Sequence, residues 1–263
     1  MYQFEEILVS VEDRVATIKF NRPELGNALS PLIRAETMEA LDKMNSDKEV
    51  GAIVLTGNGR FFCAGGDIKR FKQLIEEKIY LQEENIVAVG DMAAALRRSP
   101  KPVVAMVNGA AAGAGCSIAM ACDFRVVTPK TQMVMSFINM GLCGDTGGIY
   151  YMQRLLGTGR TVDLTMTARP VRGEEAVQIG LASRLAPEGE LESVTYELAK
   201  NLAAKPLVAI ARQKEILNKL FYSRIEESTK MEAAGMVACS RTGDFAEAVD
   251  AFLEKRPPQF RGE

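Results

Sequence analysis

The N-terminal part of the chain alternates apolar and polar positions in a pattern that predicts a β-hairpin. Residues 7–11 and 15–20 show this alternation, and charged turn residues separate the two runs. Ser30-Pro31 then predicts a helix N-cap with proline at the first helical position. The apolar run 52–55 lies between glycines and is typical of a strand buried on both faces, which indicates a parallel sheet.

Strand and helix patterns continue to alternate through the middle of the chain. Helical spacing extends from about Lys69 to Arg98, and a buried strand is predicted from Pro102 to Val107. The elements predicted next are a helix over Gly113 to Ala121, strands over Phe124 to Val127 and Gln132 to Phe137, and a helix over about Gly147 to Leu156. Because the connections are short, this alternation predicts an α/β core.

The last third of the chain has helical patterns alone. Four helices are predicted there, at about Leu191 to Ala203, Leu207 to Leu220, Ile225 to Ser240 and Phe245 to Glu254. We therefore divide the chain into a core over residues 1–195 and a helical C-terminal region over residues 196–263.

Composition narrows the possible functions. The net charge of −2 and the pI of about 5.6 offer no basic surface for a nucleic-acid backbone, so no nucleic-acid partner is expected. The five cysteines are scattered without a C-x-x-C pair, which predicts neither a disulfide framework nor a metal site and fits a cytoplasmic location. The uncharged stretch 103–122 is rich in Ala and Gly and contains a turn signal, so we interpret it as a buried strand and helix and expect no membrane span.

Two glycine-rich segments precede predicted helices and could bind an anion. They are residues 61–68, which end in Gly65-Gly66-Asp67-Ile68, and residues 109–116. Backbone N–H groups from two such loops, converging on one oxygen, would form an oxyanion hole. The structural alternatives are a tight turn with Asp67 as a helix N-cap, and close packing of a strand on a helix.

A third segment, residues 137–151, places Asp145 among apolar and aromatic residues. Since the chain contains no histidine, proton transfer falls to a carboxylate, Lys, Tyr, Cys or water. Desolvation would raise the pKa of Asp145 towards the range of a base that works near neutral pH. Alternatively, Asp145 caps the helix that follows, which would lower its pKa.

In this order and spacing, the segments resemble the enoyl-CoA hydratase/isomerase family, often called the crotonase family. The resemblance covers nearly the whole chain. Its motifs are Val15 to Pro23 with Asn27-Ala28-Leu29, Phe62 to Asp67, Lys101-Pro102 with Asn108-Gly109, Gly113-Ala114-Gly115, Ala121-Cys122-Asp123, Gln153-Arg154-Leu155, Ala176 to Leu181 and Phe252 to Arg256.

This resemblance implies an α/β fold, a crotonase-like ββα spiral whose helical C-terminal region forms a homotrimer or a dimer of trimers. It implies an acyl-CoA thioester as substrate, with coenzyme A as part of the substrate and no separate cofactor. The thioester carbonyl would lie between the amides of Ala64 or Gly65 and Ala114. The implied substrate-binding residues are Arg22, Leu25, Ala64, Gly66, Asp67, Ile68, Gly113, Ser117, Phe137, Leu142 and Tyr150.

Coenzyme A phosphate groups in this family are usually bound near the Asp67 loop. Lys69, Arg70 and Lys72 offer positive charge there, although a solvated helix face explains the same three cations equally well.

The sequence departs from the hydratase pattern at two positions. The two glutamates of a typical hydratase align with Ser117 and Phe137, whereas the position four residues after Gly141 is Asp145, which resembles double-bond isomerases. A proton shift between two carbons needs one base and an oxyanion hole, so we expect Asp145 to be the catalytic residue of an isomerase.

Other reactions and a non-enzymatic role stay open. Hydration, ring hydrolysis or decarboxylation by an atypical arrangement is the main enzymatic alternative. Dehalogenation is disfavoured because the dehalogenases of this family also use His and Trp, which this chain lacks. A binding protein that has kept the fold and lost the chemistry is a further possibility.

Overall fold

A computed structural model describes residues 3–263, and this part of the chain contains two β-sheets. The strands, in chain order, are β1 (Ile7–Glu12), β2 (Val15–Phe20), β3 (Ala52–Gly57), β4 (Phe61–Cys63), β5 (Val103–Met106), β6 (Ala110–Ala112), β7 (Phe124–Val127), β8 (Gln132–Val134), β9 (Val171–Arg172) and β10 (Arg184–Leu185). The first sheet has the order β1-β2-β3-β5-β7-β10, and the second has the order β4-β6-β8-β9.

Eleven α-helices lie in the same described range. They are α1 (Pro31–Ser46), α2 (Ile68–Glu76), α3 (Glu83–Arg98), α4 (Ala114–Ala121), α5 (Gly148–Leu156), α6 (Thr158–Thr167), α7 (Gly173–Gln178), α8 (Leu191–Ala203), α9 (Leu207–Phe221), α10 (Ile225–Cys239) and α11 (Gly243–Glu254). The four C-terminal helices match the predicted ones to within two residues at each end.

From β3 to β8, successive strands belong alternately to the first and the second sheet. β3, β5 and β7 are parallel neighbours in the first sheet, and β4, β6 and β8 are parallel neighbours in the second. A helix follows each pair, so the chain repeats a ββα unit three times. The predicted ββα spiral is confirmed, and the predicted N-terminal hairpin is the antiparallel pair β1–β2.

Local signals set several element boundaries. Ser30 caps α1 as predicted, because its Oγ accepts a hydrogen bond from the amide of Ile33 at 2.9 Å. The helical pattern from Lys69 to Arg98 was predicted as one segment, but it forms two helices, α2 and α3. Lys78 lies between them with a φ of 58°, a left-handed conformation that a continuous helix cannot contain.

Two other boundaries also differ from the prediction. The strand predicted to reach Phe137 ends at Val134, and a 3-10 turn over Ser136–Met140 follows it. The periodicity of the sequence did not reveal α6 and α7. They fill the connection between α5 and the C-terminal helices.

The uncharged stretch 103–122 lies inside the molecule. β5 and α4 are buried at every residue, which is why both consist of apolar and small side chains. Among residues 3–263, no helix is long and apolar enough to cross a membrane.

A buried ion-pair cluster fastens the C-terminal helices to the core. Asp123, which follows α4, pairs with Arg97 of α3 and with Lys214, the one buried side chain of α9. Asp123 Oδ2 also accepts a hydrogen bond from the amide of Val103 at 2.8 Å, and Lys214 Nζ donates to the carbonyl of Lys101 at 2.8 Å. Three parts of the fold therefore depend on one carboxylate.

We predict that Asp123→Ala lowers the free energy of unfolding by about 3–5 kcal/mol, because it leaves two buried cations without their carboxylate. Urea denaturation of the purified protein measures this. Glu188→Ala is the control, because Glu188 forms an exposed ion pair with Lys130. Its effect should stay within about 0.5 kcal/mol. Equal losses in the two variants would contradict this role for the cluster.

Candidate active site

The three sequence segments singled out for chemistry follow three adjacent strands. Residues 64–67 follow β4, residues 113–114 follow β6, and the segment that leads to Asp145 follows β8. Because β4, β6 and β8 are parallel neighbours, their carboxyl ends meet at one edge of the second sheet. The fold therefore brings the three segments together where parallel sheets commonly bind ligands.

Asp67 caps α2, as the structural alternative predicted. Its Oδ1 accepts hydrogen bonds from the amides of Lys69 and Arg70 at 3.1 and 3.3 Å. Arg22 reaches the same carboxylate, with Nη2 3.5 Å from Oδ2 of Asp67. Asp67 and Arg22 thus hold the first glycine-rich loop at the start of the helix.

The first and second loops are in close contact. The amide of Ala64 donates to the carbonyl of Gly26 at 2.9 Å. Gly65 has a φ of +88°, and a methyl group on it would lie 2.7 Å from the carbonyl oxygen of Ala112 and 3.4 Å from the amide nitrogen of Ala114. Glycine at position 65 therefore lets the backbones of the two loops approach each other.

Ala114 is the first residue of α4. Residues in the first turn of a helix have amides without an acceptor inside the helix. The preceding residue, Gly113, has a φ of +53° and donates its own amide to the carbonyl of Val134 at 2.9 Å. The hydrogen bond from Gly113 therefore holds the second loop against β8, and the amide of Ala114 lies at the positive end of α4.

Asp145 does not cap the helix that follows it. The N-cap position of α5 is Gly147, and the amides of Gly148 and Ile149 donate instead to the carboxylate of Glu232, at 3.1 and 3.2 Å. Glu232 lies on α10, so the cap comes from the C-terminal helical region. The capping alternative for Asp145 is wrong, and its carboxylate is left for another role.

The environment of Asp145 raises the pKa of its carboxylate. Desolvation raises its pKa to about 6, and a hydrogen bond from Thr146 Oγ1 to Oδ1, at 2.6 Å, opposes that rise. No cation among residues 3–263 contributes to this shift. A carboxylate with a pKa near 6 can both accept and return a proton near neutral pH.

Ser117 and Phe137 occupy the gap between the second and third loops. Ser117 is fully buried, and its Oγ donates to the carbonyls of Gly113 and Asp145 at 3.3 and 3.4 Å. The ring of Phe137 lies 3.5 Å from the position that a methyl group on Gly113 would take, and 3.9 Å from that on Gly144. Both side chains therefore join the two loops.

A cavity of about 340 Å³ contains residues from all three segments: Gly66, Asp67, Ala114 and Asp145. Polar side chains, including those of Arg34 and Arg70, form part of its remaining wall. Most of that wall is apolar and comes from the segment before α1, from α2, α3 and the connection between them, and from α10. These residues are Leu29, Phe71, Leu74, Ile79, Tyr80, Leu81, Ile86, Val89 and Met236. The volume and lining suit a small organic group.

A second cavity of about 610 Å³ lies on the other side of the first loop and shares Gly66 and Asp67 with the smaller one. It is lined by the predicted substrate-binding residues Leu25, Ala64 and Ile68. The C-terminal end of the chain forms its other wall, through Ala248, Phe252, Leu253, Arg256, Pro258 and Phe260.

Several residues predicted to bind substrate lie outside both linings. Leu142 is buried, and Arg22, Gly113, Ser117 and Phe137 support the loops. Tyr150 points elsewhere, because its Oη donates to the carbonyl of Phe221 at 2.9 Å and its ring packs edge-on against Tyr222.

The three cationic side chains near the first loop lie in different surroundings. Lys69 lines the larger cavity and Arg70 the smaller one. Lys72 is paired with Asp250 at 2.8 Å and with Glu76 at 3.5 Å, which ties α2 to α11. Of the three, Lys72 is the one that forms ion pairs within residues 3–263.

Our reading of the sequence missed Glu232, and its position in α10 contained the signal. It lies on the helix face formed by Ile225, Thr229 and Met236, all of them buried. A glutamate on the buried face of an amphipathic helix requires a partner inside the protein.

Comparison with known proteins shows which family the chain belongs to. The family model for enoyl-CoA hydratase/isomerase matches residues 10–263. The chain is 31% identical to trans-2-decenoyl-[acyl-carrier-protein] isomerase of Streptococcus mutans, with 98% of this chain and 99% of the other covered. It is 33% identical to a probable enoyl-CoA hydratase of Rhodobacter capsulatus, with the same coverage. The chain belongs to the enoyl-CoA hydratase/isomerase family.

Solved structures show the same fold. The crystal structure of an enoyl-CoA hydratase from Mycobacterium avium subsp. paratuberculosis superposes with a TM-score of 0.89 at 27% identity, covering 98% of this chain and 100% of the other. A methylmalonyl CoA decarboxylase superposes with a TM-score of 0.82 at 26% identity, with both chains fully covered. Since hydratase and decarboxylase share the fold, the reaction must be argued from the site.

We predict that Gly65→Ala destabilises the protein more than Gly180→Ala does. Both glycines have nearly the same positive φ, +88° and +86°, but the nearest atom to a methyl group on Gly180 is 3.9 Å away. The backbone strain should therefore be similar, and the clash with Ala112 should cost Gly65→Ala about 1–3 kcal/mol more. Urea unfolding measures the difference. Equal destabilisation would contradict the tight contact between the loops.

Proposed function

We propose that this protein is an enoyl-CoA isomerase in which Asp145 moves a proton between two carbons of the acyl chain. The observation that carries this proposal is the shared lining of one cavity by Asp145, Ala114 and Gly66. A base with a raised pKa and one backbone amide from each of two loops are the groups that a dienolate reaction needs.

The oxyanion hole is formed in this proposal by the amides of Gly66 and Ala114. Within the first loop, the amide of Ala64 is bonded to Gly26, and the amide of Gly65 interacts with the buried thiol of Cys63. Gly66 lines both cavities, so its amide is best situated to meet a thioester that passes from one to the other. We therefore propose the amide of Gly66 as the first donor of the oxyanion hole, in place of the Ala64 or Gly65 amide expected from the sequence.

The proton shift then follows from these groups. Ionised Asp145 removes a proton from C2 of a 3-enoyl thioester, and the electrons of that C–H bond move through C2 and C1 to the thioester oxygen. The amides of Gly66 and Ala114 stabilise the negative oxygen of the dienolate. Protonated Asp145 returns the proton to C4, which leaves the double bond between C2 and C3.

Hydration is less well supported by the same site. Hydration requires two groups: a carboxylate that orients the water and an acid that protonates the α carbon. The positions of the two hydratase glutamates are occupied by Ser117 and Phe137. The Oγ of Ser117 is hydrogen-bonded to two backbone carbonyls, and the ring of Phe137 packs on the second and third loops. Similarity to an isomerase and to a probable hydratase, both at 31–33% identity, is compatible with either reaction.

The larger cavity is the proposed binding site for the coenzyme A part of the substrate. It adjoins Gly66, it has an apolar lining that includes Leu25 and Ile68, and Lys69 provides positive charge for a phosphate group. The acyl chain would then extend past Gly66 into the smaller cavity, where Asp145 lies.

We further propose that the protein is a homotrimer or a dimer of trimers. Support comes from α9, which buries only Lys214 and exposes apolar side chains along its length. Val208 is 79% exposed and Leu220 is 65% exposed. Several exposed apolar side chains on one helix favour a contact with another chain.

We predict that the protein converts 3-enoyl-CoA to 2-enoyl-CoA faster than it hydrates 2-enoyl-CoA. Asp145→Asn should lower kcat/KM for isomerisation by about 10²- to 10⁴-fold, because the amide cannot accept the proton. The thioester absorbance follows both reactions. Asp91→Asn, at an exposed position of α3, is the matched control.

Fast hydration without isomerisation, or full activity of Asp145→Asn, would refute the proposal. Binding of coenzyme A without turnover of either thioester would refute it too, and would identify a binding protein.

A further inference from the structure

Glu232 is a buried carboxylate for which the proposed proton shift has no use. It is 6% exposed and projects from α10 towards the start of α5. α10, which carries Glu232, packs closely on α3, since a methyl group on Gly90 of α3 would lie 2.2 Å from Thr229 of α10. A carboxylate enclosed in this way needs hydrogen-bond partners for both of its oxygens.

Both carboxylate oxygens of Glu232 are bound at the N-terminus of α5. Oε2 accepts from the amide of Gly148 at 3.1 Å, and Oε1 accepts from the amide of Ile149 at 3.2 Å. Ser228 Oγ lies 3.5 Å from Oε1 and comes from the preceding turn of α10. Glu232 therefore acts as a helix cap supplied by another helix.

The capped amides belong to the turn that holds Asp145. The amide of Gly148 donates to the carbonyl of Asp145 at 2.9 Å as well as to Glu232. Gly144, Thr146 and Gly147 have φ values of +133°, +65° and +72°. Positive φ costs little at the two glycines, but it strains the β-branched Thr146, whose conformation persists only where surrounding groups hold it.

We propose that Glu232 is a positioning residue for Asp145: from α10 it fixes the turn 144–147, and its charge state is coupled to that of the Asp145 carboxylate. The inference rests on the proposed function of Asp145 as the base. It also assigns the C-terminal helical region a part in catalysis, because Glu232 and the cavity residue Met236 both lie on α10.

The two carboxylates titrate as a pair. Burial raises the pKa of Glu232 to about 7, the negative charge of Asp145 raises it too, and the amides at the start of α5 oppose both effects. The other titratable groups beside them are the thiols of Cys63 and Cys143, whose pKa values burial raises to about 12. Burial is the main cause of the raised pKa of both carboxylates. Arg34 and Arg70 line the same cavity as Asp145, but no cation of residues 3–263 contributes to the pKa shift of Asp145.

Glu232→Gln is the decisive variant, because it keeps the size of the side chain and removes the charge. We expect kcat to fall roughly ten- to hundredfold, since a small misplacement of a catalytic group has an effect of that order. KM should change by less than about twofold, because Glu232 lines neither of the two cavities proposed to bind the substrate. Glu227→Gln is the matched control, since Glu227 lies on the same helix in an exposed ion pair with Arg224.

The pH profile separates positioning from a merely structural role. Asp145 accepts a proton only when it is ionised, so kcat/KM of the wild type falls as the pH falls through about 6. Ionisation of Glu232 near pH 7 should make Asp145 a stronger base and add a second step to the profile. Glu232→Gln should retain the step near 6 and lose the second one.

Glu232→Asp provides an independent test, because it keeps the charge but is too short to hold both amides. It should lose kcat and keep both steps of the profile. Wild-type kcat in Glu232→Gln, or a profile that superposes on the wild type, would overturn the inference. If Asp145→Asn were itself fully active, the proposed function would fail; an inactive Asp145→Asn with an unaffected Glu232→Gln would refute only the role of Glu232.

Discussion

The site depends on burying one carboxylate that forms no ion pair within residues 3–263. Desolvation raises the pKa of Asp145 to about 6, and this effect would be lost if a Lys or Arg side chain lay beside it. The nearest compensation is a single hydrogen bond from Thr146. The surrounding structure must therefore hold the carboxylate by its backbone. Ser117 and the first turn of α5 do this through the carbonyl of Asp145.

The ββα spiral explains why distant parts of the sequence meet at this carboxylate. Each unit contributes one short strand to the second sheet, and the three strands are parallel neighbours, so their carboxyl ends lie side by side. The segments that follow them carry Gly66, Ala114 and Asp145. The C-terminal helices complete the site from outside the spiral, because α10 provides the cap of α5 and α11 closes the larger cavity.

Much of this arrangement could be predicted from the sequence, because glycine-rich segments after buried strands have a limited set of structural uses. The alternation of strand and helix patterns predicted the α/β core, and the resemblance to the family implied the ββα spiral that brings the three segments together. The choice between Gly65 and Gly66 was not, since it depends on which amides are already bonded. The buried helix face indicated that Glu232 needs a partner, but the partner could not be predicted, because it consists of backbone amides about 80 residues earlier in the chain.

The most direct measurement of the central claim is the fate of the transferred hydrogen. A 3-enoyl-CoA with deuterium at C2 would be turned over in ordinary water, and the earliest 2-enoyl-CoA product analysed by mass spectrometry and NMR. A single carboxylic acid enclosed in an apolar cavity returns the hydrogen that it removed, so the account predicts that part of the deuterium appears at C4. Product without deuterium at C4, even at the first time point, would contradict Asp145 as the sole base.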